Sequence, residues 1–316
     1  MKNFSVCIIS QHFKDPSALL ETIRKMTPRS SGKWKDMEAV TDPSQADYVA
    51  CVDGAHGGLK IPFDRTLYFA QHPKGCNSYT SMESAPAGVR RYPIDHFINP
   101  GEWWISYDYD TLMALKCPKK TKDLISISTY HEYPGKPTYG HRIRFLEEYS
   151  KKSKNIDIYG RQEKSFRSNH LFKDTYRGVA GIGEDVMDTS IGEHLIGKDI
   201  EISYRYALDF DIGQNITGLP TRNYFSERFY DSLLLWTMPL YFGSDNVHDF
   251  VPKNSFVYVD ISGSIVQVNA EVDKAIAVVQ SDFREQHIQD MAEARDLLLN
   301  KYQLWPFIYD KIKGLK

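Results

Sequence analysis

Residues 226–243, SERFYDSLLLWTMPLYFG, combine the signals of a helix start with those of a buried strand. Ser226 belongs to the residue types that cap helix N-termini, and apolar residues at helical spacing follow it as far as Thr237. The next residues, MPLYFG (238–243), form a short apolar run closed by glycine, as is typical of a buried strand. A helix that leads directly into a strand indicates one unit of a parallel α/β sheet.

The alternation of strand and helix continues on both sides of this unit. Apolar runs of strand length lie at 4–10, 46–53, 65–71, 122–128, 155–161, the second half of 199–212, and 255–261. Runs with helical spacing lie at 15–26, 138–152 and 281–302. Two such series in succession predict an α/β chain with two Rossmann-like domains that face each other across a cleft.

The segment CPKKTKD (117–123) separates the two series. We therefore expect a first domain over 1–118 and a second over 119–290. The helices predicted over 291–316 would then pack back on the first domain. The Gly/Pro-rich, aromatic stretch 72–118 has little periodicity and is predicted to be a long loop region, which is often functional.

Composition excludes several classes of protein. The 316 residues are 41% hydrophobic and 25% charged, which suits a globular core. A net charge of −2 gives no basic field for nucleic acid. The four cysteines show no zinc spacing, and no apolar run approaches the roughly 20 residues that span a bilayer. We expect a soluble, cytoplasmic protein.

Glu227 and Arg228 stand side by side in the first turn of the predicted helix. An arginine there opposes the helix dipole, and broken local rules are expected at functional sites. Arg228 together with the first amides of the helix would bind a diphosphate, and Glu227 would accept hydrogen bonds from a ribose. The alternative is a solvated helix end with an incidental ion pair.

From Tyr204 onward the chain resembles the alpha-1,3-fucosyltransferases of glycosyltransferase family 10. Their donor-domain pattern (Phe-Glu-Asn, Tyr-Val-Thr-Glu-Lys, a helix, Pro-Val-Tyr-x-Gly, Pro-Lys-Asn-Ser-Phe) corresponds here to FDI, YFSER, MPLYFG and PKNSF. LISIST, HRIRFLEEY and IDIYG resemble the family's first donor-domain strand, helix and strand. The resemblance covers roughly residues 121–262 and implies the GT-B architecture of glycosyltransferases.

The resemblance also implies roles for individual residues. Glu227 would hold the ribose, Arg228 and Arg142 the diphosphate, and Tyr224 corresponds to the family's tyrosine before the Glu-Lys pair. Asp211 stands for the glutamate of Phe-Glu-Asn, whereas Ile212 replaces its asparagine. The rest of the expected donor site comprises Asn223, Ser128 and Gly160.

The catalytic base is less determined than the donor site. In the family it is a glutamate after a first-domain strand, but Gln71 takes that position here, and an amide cannot accept the proton. His72 is adjacent; Asp53 and Glu83 are the other candidates. The acidic pair of DYD (108–110) lacks the strand context of a metal site, so we expect no metal ligands and no required cofactor.

These observations predict an inverting glycosyltransferase for glycan biosynthesis, which moves a sugar from a nucleotide sugar to a glycan acceptor. The first-choice donor is GDP-fucose. Another nucleotide sugar, such as UDP-xylose, is the alternative because the sugar-proximal motif has changed. A catalytically silent glycan- or nucleotide-binding protein is the alternative from another class, and the loss of the expected base at Gln71 is its support.

Overall fold

The structure of the chain is a computed structural model, which describes residues 3–72, 83, 85–93, 96–128, 130, 137–160, 162–179, 202–208 and 222–315. Twelve strands lie in these ranges and form two sheets of six strands each. Asp211 lies outside the described residues, and so does the loop around it.

The first sheet comes from the N-terminal third of the chain. Its strands are β1 (Phe4–Ser10), β2 (Lys33–Trp34), β3 (Met37–Ala39), β4 (Tyr48–Val52), β5 (Thr66–Phe69) and β6 (Arg90–Tyr92), in the spatial order β2-β3-β1-β4-β5-β6. All neighbours pair in parallel except β2 and β3. Helix α1 (Pro16–Ile23) follows β1, and α2 (Tyr109–Ala114) follows the last strand. The long runs at 4–10, 46–53 and 65–71 thus predicted real strands, whereas β2, β3 and β6 are too short to show a pattern.

The second sheet is parallel throughout. Its strands are β7 (Lys122–Ile127), β8 (Asp157–Tyr159), β9 (Tyr176–Gly178), β10 (Ile202–Leu208), β11 (Met238–Phe242) and β12 (Val257–Tyr258), in the order β12-β11-β10-β7-β8-β9. The helices connected with it are α3 (Pro137–Lys152), α4 (Glu163–Ser168), α5 (Glu227–Leu234) and α6 (Ile265–Val279). Helix α6 was not predicted, although it has a full capping box from Ser264 and Gln267.

The continuous apolar runs form buried strands because helices cover both faces of a parallel sheet. All five residues of β11 are buried, and β1 is buried at every position except Ser5. A strand with one solvated face would alternate between apolar and polar residues instead. Burial on both faces therefore explains why the quoted segment ends in Met-Pro-Leu-Tyr-Phe.

The prediction of one helix over 281–302 was wrong. The structure has α7 (Phe283–Gln286), α8 (Ile288–Leu297) and a π-helical turn over 298–302. His287 separates the first two, because its backbone leaves the helical region (φ −112°, ψ 23°). Its ring hydrogen-bonds to Asp290 at 2.8 Å, which holds the break in place.

The C-terminal helix α9 (Leu304–Lys313) packs against the first sheet and its connections. The indole N–H of Trp305 donates to the carbonyl of Ile23 (3.0 Å), and the hydroxyl of Tyr309 donates to Asp36 (2.7 Å). Lys313 also pairs with Asp36 (2.5 Å). The end of the chain is thus attached to residues of its N-terminal third, while the domain limits at 118 and 290 stay predictions.

Among the helices in the described ranges, none combines the length and the apolar character needed to cross a membrane.

Candidate functional site

Two polar side chains follow neighbouring strands of the first sheet. Asp53 comes directly after β4, and His72 lies three residues beyond β5. After β1 the chain first adds β2 and β3 on one side of β1 and then adds β4 on its other side. The direction in which strands are added therefore reverses between β1 and β4. Ligands of open parallel sheets bind at this kind of reversal, outside the carboxyl ends of the strands. Asp53 and His72 are therefore at the expected edge.

Asp53 and His72 form one hydrogen-bonded unit. The Asp53 side chain has no solvent exposure, and its Oδ1 accepts the backbone N–H of Gln71 (2.6 Å) and of His72 (3.2 Å). Its Oδ2 contacts Nδ1 of the His72 ring. When a carboxylate accepts the Nδ1–H of a histidine, the neutral ring is held in the tautomer whose Nε2 carries the free lone pair. The His72 side chain is 41% exposed, so this ring can meet a ligand.

The backbone at Asp53 is held in an uncommon conformation. Asp53 has a φ of 56° and Gly54 a φ of +113°. Aspartate is one of the few side chains that tolerates the left-handed region, and such conformations collect at functional sites. The turn brings the Asp53 carboxylate under the backbone of Gln71 and His72.

The three base candidates differ in their placement. Asp53 is fully buried beneath His72, so it can orient the imidazole but cannot reach a substrate. Glu83 is exposed, and residues 73–82 and 84 around it lie outside the described part. His72 is the candidate that combines exposure with an orienting partner.

Glu227 and Arg228, the first two residues of α5, lie at the carboxyl edge of the second sheet. Ser226 caps this helix, and its hydroxyl accepts the N–H of Arg228 at 3.2 Å. Arg228 and Glu227 contact each other at 3.2 Å, with side chains 25% and 19% exposed. Both side chains are therefore partly open to solvent at a helix N-terminus, where anions are favoured.

Asn223 and Tyr224 hold the entry to α5. Asn223 has a φ of 63°; its N–H donates to Ser244 Oγ (2.9 Å), and its Oδ1 accepts from Asn246 (2.8 Å). Tyr224 is buried among side chains of the first sheet, with its ring 6.4 Å from that of His72. The sequence predicted donor contacts for these two residues. In the structure they fix the loop before α5, and Tyr224 links it to His72.

The strand order of the second sheet also reverses, between β7 and β10. Ser128 follows β7, is buried, and contacts the hydroxyl of Ser126 at 2.9 Å. Arg142 lies on the next helix, α3, and is 7% exposed. Gly160 follows β8, and a Cβ there would lie 1.7 Å from the carbonyl oxygen of Ser128. The glycine therefore permits a close approach of two backbones beside the expected donor site.

The acids of DYD (108–110) have other partners. Asp108 caps α2 through the N–H of Thr111 (2.9 Å), and Asp110 accepts the N–H of Arg29 (2.6 Å). Across the described ranges, no group of three or more His, Cys, Asp or Glu side chains is arranged to hold a metal ion.

A segment before α2 connects the two sheets. Asn99 exchanges two hydrogen bonds with the backbone of Phe225 (2.8 and 2.9 Å), and the N–H of Trp104 donates to Asp231 on α5 (3.0 Å). A Cβ on Gly101 would lie 2.0 Å from the Tyr230 ring, so glycine is required for this close contact. We call residues 98–104 the crossing segment.

The crossing segment carries Glu102, which the sequence analysis missed. Its carboxylate accepts from the Trp104 indole (3.3 Å). Burial raises the pKa of Glu102 from its usual value, and the nearby charge of Glu227 raises it further. Glu102 lies in a stretch without periodicity, and only the adjacent aromatic pair of Gly-Glu-Trp-Trp marks it in the sequence.

No family model matches the chain, and no curated protein matches it in sequence. Solved structures do resemble it. A TarM variant of S. aureus aligns at 11% identity with a TM-score of 0.46, over 84% of this chain but 55% of that chain. An alpha1,3-fucosyltransferase with GDP-fucose aligns at 10% identity and 0.41, over 96% and 93% of the two chains. Scores this low support no inference.

The third similar structure is an alpha-glucosyltransferase in complex with UDP and a 13-mer DNA. It aligns at 10% identity with a TM-score of 0.53, over 100% of this chain and 99% of that one. At this identity the likeness concerns the fold alone. The two largely parallel sheets and this likeness establish for the chain the α/β fold with GT-B architecture that the sequence predicted.

Proposed function

We propose that this chain is a glycosyltransferase that moves a sugar from a nucleotide sugar to a glycan acceptor, with inversion at the anomeric carbon. The observation that carries the proposal is the Asp53–His72 pair and its proximity to the opening of α5. The crossing segment joins the two, since Asn99 hydrogen-bonds to the backbone of Phe225 before α5 and the adjacent Tyr224 ring lies 6.4 Å from that of His72. In this proposal an acid–base group and an anion-binding helix start would share one cleft.

The donor would bind to the second unit, residues 119–290. Arg228 and the first amides of α5 would hold the diphosphate, with Arg142 from α3 as the second cation. Glu227 would accept hydrogen bonds from the ribose hydroxyls. As the bond to the sugar breaks, negative charge grows on the leaving diphosphate, and the two arginines would stabilise it.

The acceptor would bind to the first unit, residues 1–118. His72 Nε2 would take the proton of the attacking hydroxyl, while the acceptor oxygen bonds to the anomeric carbon and the diphosphate leaves with the electron pair of the broken bond. Asp53 would stabilise the resulting imidazolium, because its buried carboxylate accepts from Nδ1. Asp53 is therefore a positioning residue in this scheme.

The donor is GDP-fucose in the first instance, on the sequence resemblance over roughly residues 121–262. A UDP-sugar such as UDP-xylose is the second candidate, since Asp211 and Ile212 depart from the family's Phe-Glu-Asn pattern. Both positions are predicted to lie near the sugar and away from the nucleotide. The change thus bears on the choice of sugar more than on the use of a nucleotide sugar.

The test is release of nucleotide from a panel of GDP- and UDP-sugars, with and without glycan acceptors, by the parent chain and by His72→Ala. The proposal predicts release from at least one donor, and a loss of about 10²–10⁴-fold in turnover in the variant with nucleotide affinity retained. Nucleotide binding without release from any donor would identify a catalytically silent binding protein instead.

A further inference from the structure

The position of Glu102 is fixed by contacts of the crossing segment with α5 and with the C-terminal part of the chain. The crossing segment is held to α5 through Asn99 and Trp104. It is also held to the end of the chain, since the N–H of Gly101 donates to Tyr302 (3.0 Å) and its carbonyl accepts from Leu304 (2.8 Å). Glu102 follows Gly101 directly, so its backbone is fixed from both sides.

The carboxylate of Glu102 is close to charged residues of both units. It interacts electrostatically with Glu227 at the start of α5, which repels its charge, and with His72 beyond β5. The Trp104 indole donates to Oε1. An ionised carboxylate has about four lone-pair positions, so this one donor leaves it capacity for further hydrogen bonds. The residue is partly exposed, which gives a ligand access to that capacity.

What this placement implies for Glu102 rests on the proposed function. A nucleotide sugar bound with its ribose at Glu227 extends through its diphosphate toward the base at His72. The sugar that is transferred must then lie between these two residues. The crossing segment lies there as well, because Asn99 hydrogen-bonds to the backbone of Phe225, two residues before Glu227, and the neighbouring Tyr224 lies against His72. We propose that Glu102 is a specificity-determining residue that accepts hydrogen bonds from hydroxyl groups of the transferred sugar.

The chemistry of a carboxylate suits this role. Sugar hydroxyls are donors, and hydrogen bonds to an ionised acceptor are about twice as strong as neutral ones. A site built to bind a hydroxyl discriminates strongly against sugars that lack it, because the polar group that the bound sugar covers is then left unsatisfied. A carboxylate beside the sugar also favours the positive charge that develops at the anomeric carbon.

The experiment compares dissociation constants of nucleoside diphosphates and of the matching nucleotide sugars by calorimetry. The chains are the parent, Glu102→Gln and Glu102→Asp. The control is Glu148→Gln, a carboxylate of α3 paired with Lys151 instead. We expect Glu102→Gln to weaken binding of the nucleotide sugar, relative to binding of its nucleoside diphosphate, by roughly 10- to 100-fold. Affinity for the nucleoside diphosphate alone should not fall, since the variant removes a negative charge from the anion site.

Glu102→Asp withdraws the carboxylate by one methylene group, so we expect an intermediate loss and a changed preference among the donor sugars. The control should keep the parental ratio. If the parental ratio persists in both Glu102 variants while nucleoside diphosphates still bind, Glu102 does not contact the sugar, yet the proposed function stands. If turnover, measured on the same variants, collapses at an unchanged ratio, Glu102 acts on the reaction alone and the assignment to the sugar hydroxyls is wrong. Absence of nucleotide binding by the parent chain would overturn both.

Discussion

The imidazole of His72 hydrogen-bonds through Nδ1 to Oδ2 of Asp53, a carboxylate without solvent exposure at the end of the neighbouring strand. The same carboxylate accepts the backbone N–H groups of Gln71 and His72 through Oδ1. Three donors therefore converge on one buried side chain. This arrangement fixes the orientation of the imidazole of a residue that follows its strand in a loop.

The first prediction concerns the coupling of these two residues. His72→Ala should lower turnover by about 10²–10⁴-fold, and Asp53→Asn should lower it in the same direction because the imidazolium loses its partner. Groups that act as a unit give non-additive losses, so the double variant should resemble His72→Ala alone. Transfer rates at saturating donor, with nucleotide affinity measured for each variant, provide the check. Losses that simply multiply would refute the coupling.

The pH dependence of transfer follows from the same pair. An imidazole must be neutral to accept a proton, so the rate should rise through roughly pH 6–7, where histidines usually lose their proton. Carboxylates ordinarily lose their proton near pH 4–5, so a carboxylate base would give a limb in that lower range instead. Rate profiles of the parent and of Glu83→Gln distinguish the two. A low-pH limb that disappears in Glu83→Gln would assign the base to Glu83.

The third prediction concerns the phosphate site. Arg228→Ala and Arg142→Ala should each weaken nucleoside diphosphate binding by about 1.5–3 kcal/mol, the usual value of a hydrogen bond to a charged group. Arg167→Ala is the matched control, because this α4 arginine is 64% exposed and pairs with Glu163. Calorimetric titration measures all three. Equal affinity in the control and in both site variants would remove the arginines from the site.

The role of Glu227 is predicted to be ribose binding. If its carboxylate accepts hydrogen bonds from the two ribose hydroxyls, Glu227→Gln should weaken the binding of GDP and of UDP to a similar extent. Deoxyribose analogues should then bind the variant and the parent about equally. Competition binding with paired ribose and deoxyribose nucleotides tests this. A variant that still strongly prefers ribose would leave Glu227 with a purely structural role at the start of α5.

The free energy of unfolding should depend on pH through Glu102. Burial and the charge of Glu227 raise the pKa of this side chain above its usual 4.5. The folded state therefore holds this proton more tightly than the unfolded state, and stability falls as the pH rises from about 4.5 through the raised pKa. Glu102→Gln mimics the protonated form, so it should gain stability relative to the parent at neutral pH and lose that gain below pH 4.5. A relative stability that does not change with pH would contradict this.

The contribution of Asp36 to stability should depend on pH in the opposite direction. Hydrogen bonds from Lys313 and Tyr309 lower its pKa from 3.8 to about 2. Its contribution to stability is thus complete above pH 3.8 and is lost as the pH falls through about 2. Asp36→Asn should destabilise the chain at neutral pH, and the difference from the parent should shrink in that acidic range. Denaturant titrations at several pH values measure it; a difference that grows toward acid would contradict the assignment.

Long apolar runs made the fold predictable from the sequence. Segments such as 4–10 and 238–243 are buried on both faces and therefore have strand signals of their own. Strands of two or three residues, such as Lys33–Trp34 and Arg90–Tyr92, take their conformation from their neighbours and leave no periodic signal. The break at His287 was missed for a related reason, because the helical spacing continues on both sides of it.

The candidate site was predictable only where a residue follows a recognisable element. Asp53, His72 and the Glu227–Arg228 pair all adjoin strands or a helix start, and the sequence analysis named them. The link between Asp53 and His72 depends on which strands are neighbours, and spacing along the chain does not reveal that. Glu102 is placed beside α5 by the tertiary contacts of the crossing segment, so no local pattern could have indicated it.

Nucleoside diphosphate binding at the opening of α5 tests the central claim most directly. Calorimetric titration of the parent chain and of Arg228→Ala with GDP and with UDP is the decisive measurement. The account predicts that at least one of the two binds the parent with a stoichiometry of about one, and that Arg228→Ala weakens it by about 1.5–3 kcal/mol while Arg167→Ala does not. Binding of neither nucleotide, or equal affinity in Arg228→Ala and the parent, would contradict it.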